Sequence, residues 1–316
     1  EMRDKRVMLA EEAANKLPTK MTLAAERENK VYHVTTATGD YALRQHRQGY
    51  RSDAQLASEL NWMAALDDAG LDVPKPIPTQ AGAYLVTLNS VQFDMLSWLP
   101  GKQLGAHGTP FDLDDPTSTF FALGQSMARL HLASDNWIPP TDFTRPVWDA
   151  KGLLGDTPLW GRFWENPTLA HGQQELLERF RDQARTALTE RDHDFGLIHA
   201  DLLRENVLID GEILRLIDFD DGGHGFRLFE LATTLFRLKG EPLESELTTA
   251  LIEGYQSVRP INITHLPLFI ALRACTYVGW IVTRMEIPNA ENRNFEHITN
   301  ATQAVANWLE TEPAYV

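Results

Sequence analysis

Cysteine is nearly absent: Cys275 is the single one among 316 residues, which excludes an internal disulfide and any cysteine-rich zinc site. Basic residues are scarce beside acids, 29 Lys and Arg against 44 Asp and Glu, for a formal net charge of −15. A surface of that sign repels phosphate backbones, so neither nucleic acid nor an anionic membrane is expected as a partner. It serves solubility and would tolerate a cationic ligand. No fixed-period repeat or low-complexity tract occurs, which removes solenoids and propellers. Long apolar runs are missing too. The most apolar stretch, Leu266 to Val282, is interrupted by Arg273 and reads as too short for a membrane span. The opening EMRDKRVMLAEEAANKL reads as charged helix without the apolar core of a secretory signal. What is present, 43% hydrophobic and 23% charged residues, is ordinary globular composition. The expectation is a soluble, cytoplasmic protein; its oligomeric state is not legible.

The first hundred residues mix strand and helix signals. Val31–Thr36 is β-branched and aromatic, Ala37–Asp40 is turn-like, and Tyr41-Ala42-Leu43-Arg44 reads as the returning strand. Ser52 and Gln55 have the spacing of a capping box, which predicts a helix from there to about Asp68 with Leu56, Leu60 and Met63 inward. Two further strands are expected at Ala83–Leu88 and Val91–Trp98, joined by Asn89-Ser90. Leu99-Pro100-Gly101 interrupts helix and strand alike and marks a boundary. The expected domains are 1–98 and 99–316. Helices dominate the second, over Ser118–Ala133, Gly172–Glu190, Phe226–Lys239, Glu244–Val258, Leu266–Met285 and Phe295–Glu310. One hairpin stands among them, Asn206–Asp210 and Glu212–Ile217, with Asp210-Gly211 as a type I′ turn. A cleft between two such lobes is a usual ligand site.

Chemistry concentrates around that hairpin, in Leu197-Ile198-His199-Ala200-Asp201 and Leu216-Ile217-Asp218-Phe219-Asp220. Asn206 opens one strand and Asp218 closes the next, so both should stand at the same end of the ribbon. An amide oxygen and a carboxylate converging there are hard ligands suited to Mg²⁺, which keeps waters and recruits phosphates. Asp201 could take a hydroxyl proton or orient the hydroxyl for in-line attack on phosphorus. Taken singly, each of these residues also fits a turn or strand end. In the first domain Glu59 falls on the inward stripe of its helix. A buried carboxylate needs a partner, and Arg44 is the available one.

His199-x-Asp201-x4-Asn206 followed by Asp218-Phe219-Asp220 resembles the catalytic segment of the aminoglycoside phosphotransferase and choline kinase-like superfamily. That superfamily includes homoserine kinases and a bacterial stress-response Ser/Thr kinase. The resemblance spans about Thr22 to Met285. It implies an α+β, bilobal protein-kinase-like fold, with 1–98 as nucleotide-binding lobe and 99–316 as catalytic and substrate-binding lobe. It also implies ATP and Mg²⁺ and transfer of the γ-phosphoryl group to a hydroxyl. The acceptor would be a small amino-alcohol, homoserine-like or aminoglycoside-like molecule; a protein acceptor, or a nucleotide-binding regulator without catalysis, are the alternatives. Residue by residue, Asp201 matches the catalytic aspartate, Asn206 and Asp218 the metal ligands, and Asp220 a further acid of many members. His199 matches the histidine that supports the loop. Arg44 stands at the phosphate-binding cation and Glu59 at its partner. Asn29, within Ala24–Val31, fits the phosphate-covering loop, and Ser97-Trp98-Leu99 aligns with the adenine-binding hinge. Departures are Arg44 for the usual Lys, Ala200 for Gly, Leu203 for a second His, Glu230 for Asp, and a covering loop without glycines.

Other signals are weaker. His131 reads as packing. No HExxH helix supports a hydrolase metal site. Trp137, Trp148, Trp160, Trp164 and Trp280 read as core, or in part as a cage for a substrate cation. Asp112, Asp114 and Asp115 read as a solvated loop and helix start.

Overall fold

The computed structural model describes residues 20–26, 29–106 and 108–311. The expected opening helix, and two residues of the expected covering loop, lie outside the described residues. The chain forms two compact units. One comprises the residues up to Leu104 with Ala133–Arg145 and Glu205–Asp220; the other comprises Gly105–Leu132, Pro146–Arg204 and Asp221–Val316.

In the first unit an antiparallel five-stranded sheet has the order β1 (Lys20–Glu26), β2 (Lys30–Thr36), β3 (Gly39–Gln45), β5 (Val91–Ser97), β4 (Leu85–Leu88). Alternation along β2 sends Tyr32 and Val34 inward against Leu43 and Met95. The Asn89-Ser90 connection takes positive φ at both residues, 52° and 63°, as a type I′ turn demands. Helix α1 (Asp53–Asp68) starts at the expected capping box: Ser52 Oγ accepts from Gln55 N at 3.2 Å, and Gln55 Oε1 accepts from Ser52 N at 3.1 Å. Its buried face carries Leu56, Leu60, Trp62, Met63 and Leu66 together with Glu59.

A second sheet of this unit orders β10 (Ile213–Leu216), β9 (Val207–Asp210) and β6 (Lys102–Gln103). Asp210 pairs with Ile213 in the ladder, so the turn residues are Gly211 and Glu212, one position later than the Asp210-Gly211 expected. Positive φ falls on Gly211 alone, at 63°, the pattern of a II′ turn. Gly101 has φ 123° and approaches β9 so closely that a Cβ would sit 2.9 Å from the Ile209 carbonyl oxygen. Only glycine fits there.

The second unit is mainly helical: α2 (Pro116–Asn136, its last turn shared with the first unit), α3 (Ala150–Leu154), α4 (His171–Glu190), α5 (Arg227–Phe236), α6 (Glu244–Gln256), α7 (Leu266–Trp280) and α8 (Ala290–Thr311). A small sheet of β7 (Val147–Trp148), β11 (Gly223–Phe226) and β8 (Phe195–Ile198) completes it. Its core gathers Trp148, Phe163, Phe180, Phe229, Phe269, Leu272, Cys275 and Trp308. Asp115 caps α2, accepting from Ser118 N at 2.9 Å. One expectation is corrected: Leu266–Arg284, α7 with the 3₁₀ turn after it, is long and apolar enough for a membrane span, with mean hydropathy 1.5, Arg273 notwithstanding. That apolarity is used inside the protein, since 72% of the stretch is buried.

Candidate active site

Four charged side chains and a histidine meet in the interior of the first unit. Arg44, on β3, donates from Nη1 to Glu59 Oε1 at 2.7 Å, the partnership the helix stripe predicts. It also grips Asp94 of β5 with both edges of its fork, Nε to Oδ1 and Nη2 to Oδ2, each at 2.8 Å. His46 Nε2 lies 2.6 Å from the same Asp94 Oδ2. Register explains the grip, because Arg44 stands directly opposite Asp94 in the β3–β5 ladder. Burial opposes the Asp94 charge, and Arg44 then His46 override it, holding the carboxyl well below its ordinary range. Glu59 is likewise lowered, burial being overcome by Arg44, Arg145 and His46. Burial works against the Arg44 cation, and Asp94 and Glu59 keep it fully charged.

Arg145 ties this cluster to the Asp218 segment. Its Nη1 donates to Glu59 Oε2 at 3.0 Å, and its Nη2 to the carbonyl oxygens of Phe219 and Asp220 at 2.8 and 2.6 Å. Arg51 Nη2 adds a bond to Asp220 O at 3.1 Å, and the Phe219 ring packs edge-on to Trp62 at 5.3 Å. The ladder runs one step past the strands, with Ile217 N donating to Asn206 O at 3.0 Å. Asn206 and Asp218 therefore occupy the same open end of the ribbon. Asp218 has φ 68°, a left-handed conformation that Asp tolerates better than most residues.

Whether this segment suits a cation is decided at Asp220. Its carboxylate is buried, and its Oδ1 finds no hydrogen-bond donor among the described residues. Burial first, then the nearby Glu59, raises its pKa. A buried carboxylate with an unbonded oxygen, two residues after Asp218, has the chemistry that suits a divalent cation. No group of three or more His, Cys, Asp or Glu that could by itself hold a metal ion occurs among the described residues.

The remaining nucleotide-side residues are placed as follows. Asn29 Oδ1 accepts from Arg47 N at 3.2 Å, linking the β1–β2 connection to the end of β3. Ser97 is bound to Lys75 twice: its N–H donates to Lys75 O at 2.8 Å, and its Oγ accepts from Lys75 N at 2.9 Å. Trp98 N donates to Asp40 O, and Leu99 is half-buried.

Asp201 belongs to the second unit, directly after β8. His199 N and Ala200 N both donate to the carboxylate of Glu230 on α5, the latter at 3.1 Å to Oε1. Asp201 N donates to His199 Nδ1 at 3.3 Å, consistent with a supporting His199. Ala200 takes φ 65°. Arg273 of α7 donates from Nη2 to Asp201 Oδ1 at 2.9 Å and from Nη1 to Ala200 O at 3.3 Å. Burial raises Glu230 to about 7 against those two backbone bonds. His131, fully buried with Nδ1 2.7 Å from the Tyr255 hydroxyl, packs behind the loop as expected.

Three of the five tryptophans are covered by arginines. The Arg273 guanidinium lies 4.6 Å from the Trp160 ring and 4.7 Å from Tyr277. Arg181 covers Trp164 at 3.8 Å, and Arg284 covers Trp280 at 4.6 Å.

The profile of the phosphotransferase enzyme family matches residues 21–261. The chain belongs to that family. Among its relatives within it is a homoserine kinase of Methylobacillus flagellatus, 28% identical over 252 residues, covering 76% of this chain and 70% of that protein. Among solved structures, a microcompartment-associated aminopropanol kinase is 27% identical, with TM-score 0.82 over 96% of this chain and 98% of its own. An amicoumacin kinase solved with AMP-PNP and Ca²⁺ shares the fold, with TM-score 0.77, 18% identity and coverage of 95% and 93%. The fold is thus the α+β, protein-kinase-like one of the family.

Among the participants that escaped sequence reasoning are Asp94, Arg145 and Arg273. Two carried a signal. An acid in the apolar run Phe93-Asp94-Met95-Leu96 and a cation in an apolar helix each demand a buried partner. Arg145, in a Pro-flanked loop segment, carried none.

Proposed function

We propose that this family member transfers the γ-phosphoryl group of ATP to a hydroxyl of a small, amine-bearing metabolite of the homoserine or amino-alcohol kind. The observation that carries the reading is the loop after β8, where Asp201 is fixed at backbone and side chain alike while its carboxylate keeps 22% exposure. Such a group can accept the acceptor's hydroxyl proton and aim the oxygen at phosphorus. Asn206, Asp218 and Asp220 would hold Mg²⁺, which when bound neutralises phosphate charge. Arg44, braced by Glu59, offers its remaining N–H groups to phosphate oxygens; Asn29 stabilises the covering loop and Ser97–Leu99 the adenine edge. The division of labour is a nucleotide lobe over 1–98 and a catalytic, acceptor-binding lobe over 99–316. Alignment and charge neutralisation supply most of the catalysis. The acidic net charge and single cysteine accord with a cytoplasmic enzyme.

The test is ADP release from Mg-ATP against a panel holding L-homoserine, aminopropanol, choline and an aminoglycoside. Release that depends on one of these hydroxyl compounds supports the reading. Release only with protein acceptors, or tight ATP binding without turnover, overturns it. Asp218→Ala should weaken Mg-ATP binding; an unchanged Mg²⁺ dependence contradicts the metal assignment.

A further inference from the structure

We infer that Arg273 is a positioning residue for Asp201, and that the aromatic box of Trp160, Tyr277 and Phe229 serves to hold this arginine rather than a substrate cation. The inference rests on the role proposed for Asp201. Arg273 is fully buried in α7, between Leu272 and Ala274, which are buried as well. A cation there carries a desolvation cost that an apolar side chain of equal volume would avoid. Packing alone therefore does not account for it. Its fork reaches two points of one short loop: the main-chain oxygen of Ala200, whose φ is 65°, and Oδ1 of Asp201. Holding the strained residue and the carboxylate after it fixes both the loop and the direction in which the carboxylate faces.

The fork is itself held. Nη2 also donates to the Tyr277 hydroxyl at 3.0 Å, and the guanidinium lies 4.6 Å from Trp160, 4.7 Å from Tyr277 and 5.6 Å from Phe229. Trp160 in turn meets Trp148 edge-on at 5.4 Å. Planar, delocalised charge suits such a box, and a lysine ammonium would lose both the stacking and the planar fork of two donor nitrogens.

The test is a double-mutant cycle on the full chain with Arg273→Met, Arg273→Lys and Asp201→Asn. Turnover is read with the best panel acceptor and, independently, as ATP hydrolysis with water. Arg273→Met should lower kcat about thirtyfold to a hundredfold, as misplacement of a reacting group does, and leave the KM for Mg-ATP unchanged. In the Asp201→Asn background the same change should cost nothing more, because its effect runs through Asp201. Losses that multiply in the double variant, or an Arg273→Met enzyme of full activity, overturn the inference. Asp201→Asn retaining wild-type turnover fails the Asp201 role instead, so the two failures are distinguishable. If the methionine variant does not fold, Arg273→Lys carries the same comparison with a loss of about tenfold. A crystal structure of Arg273→Lys should show the Asp201 carboxylate turned from its present direction; an unmoved carboxylate contradicts the inference.

Discussion

Arg44 meets three carboxylate oxygens within 2.8 Å, a set of contacts that favours arginine over lysine at this position. A lysine keeps the charge but cannot reach Glu59 and both oxygens of Asp94 at once. Arg44→Lys should cost about 2 kcal/mol of stability, the worth of a charged hydrogen bond lost in the interior, measured by urea denaturation. Adding Asp94→Asn should recover part of that loss; a further full penalty would show that Asp94 does not act through Arg44. Glu230 has a different electrostatic signature. Burial raises its folded-state pKa from 4.5 to about 7, so between those values the native chain holds a proton that the unfolded chain releases. The stability tied to that proton is complete below about pH 4.5 and is lost as pH rises through 7, up to about 3 kcal/mol. Glu230→Gln removes the titration. Its melting temperature relative to wild type should therefore rise from pH 5 to pH 8, and a constant difference would contradict the assignment. The sequence made Arg44, Glu59, Asp201, Asn206 and Asp218 legible because each sits in a patterned strand, helix or loop. It left Asp94, Arg145 and Arg273 unread, because their partners lie fifty or more positions away and only the folded chain brings them together.

Among the elements, local codes decided most boundaries. The Ser52 capping box starts α1, and Ser52→Ala should lower stability by about 1 kcal/mol, read from the denaturation midpoint; no change would mean that tertiary packing alone fixes the helix start. The β2–β3 and β4–β5 hairpins followed from alternation and turn residues. What remained unread had weak codes. β1 is exposed along nearly its whole length and shows no inward alternation. β11, Gly-His-Gly-Phe, is glycine-rich and is fixed by pairing with β8 and β7. The hairpin turn at Gly211 was misplaced by one residue because Asp-Gly reads equally well as the turn itself or as its entry.

For the molecule as a whole, one apolar helix serves as core and as the carrier of a buried cation. Leu266–Arg284 has the hydropathy of a membrane span yet is mostly interior, and Arg273 within it reaches the loop that bears Asp201. Phosphoryl transfer to a small hydroxyl compound is the role proposed for this loop. Its most direct test compares wild type with Asp201→Asn, measuring phosphomonoester product by ³¹P NMR and ATP affinity by calorimetry on the same preparations. The expected result is a turnover at least about a hundredfold lower in the variant with ATP affinity preserved. Equal product from both proteins, or an equal loss of ATP binding, would contradict it.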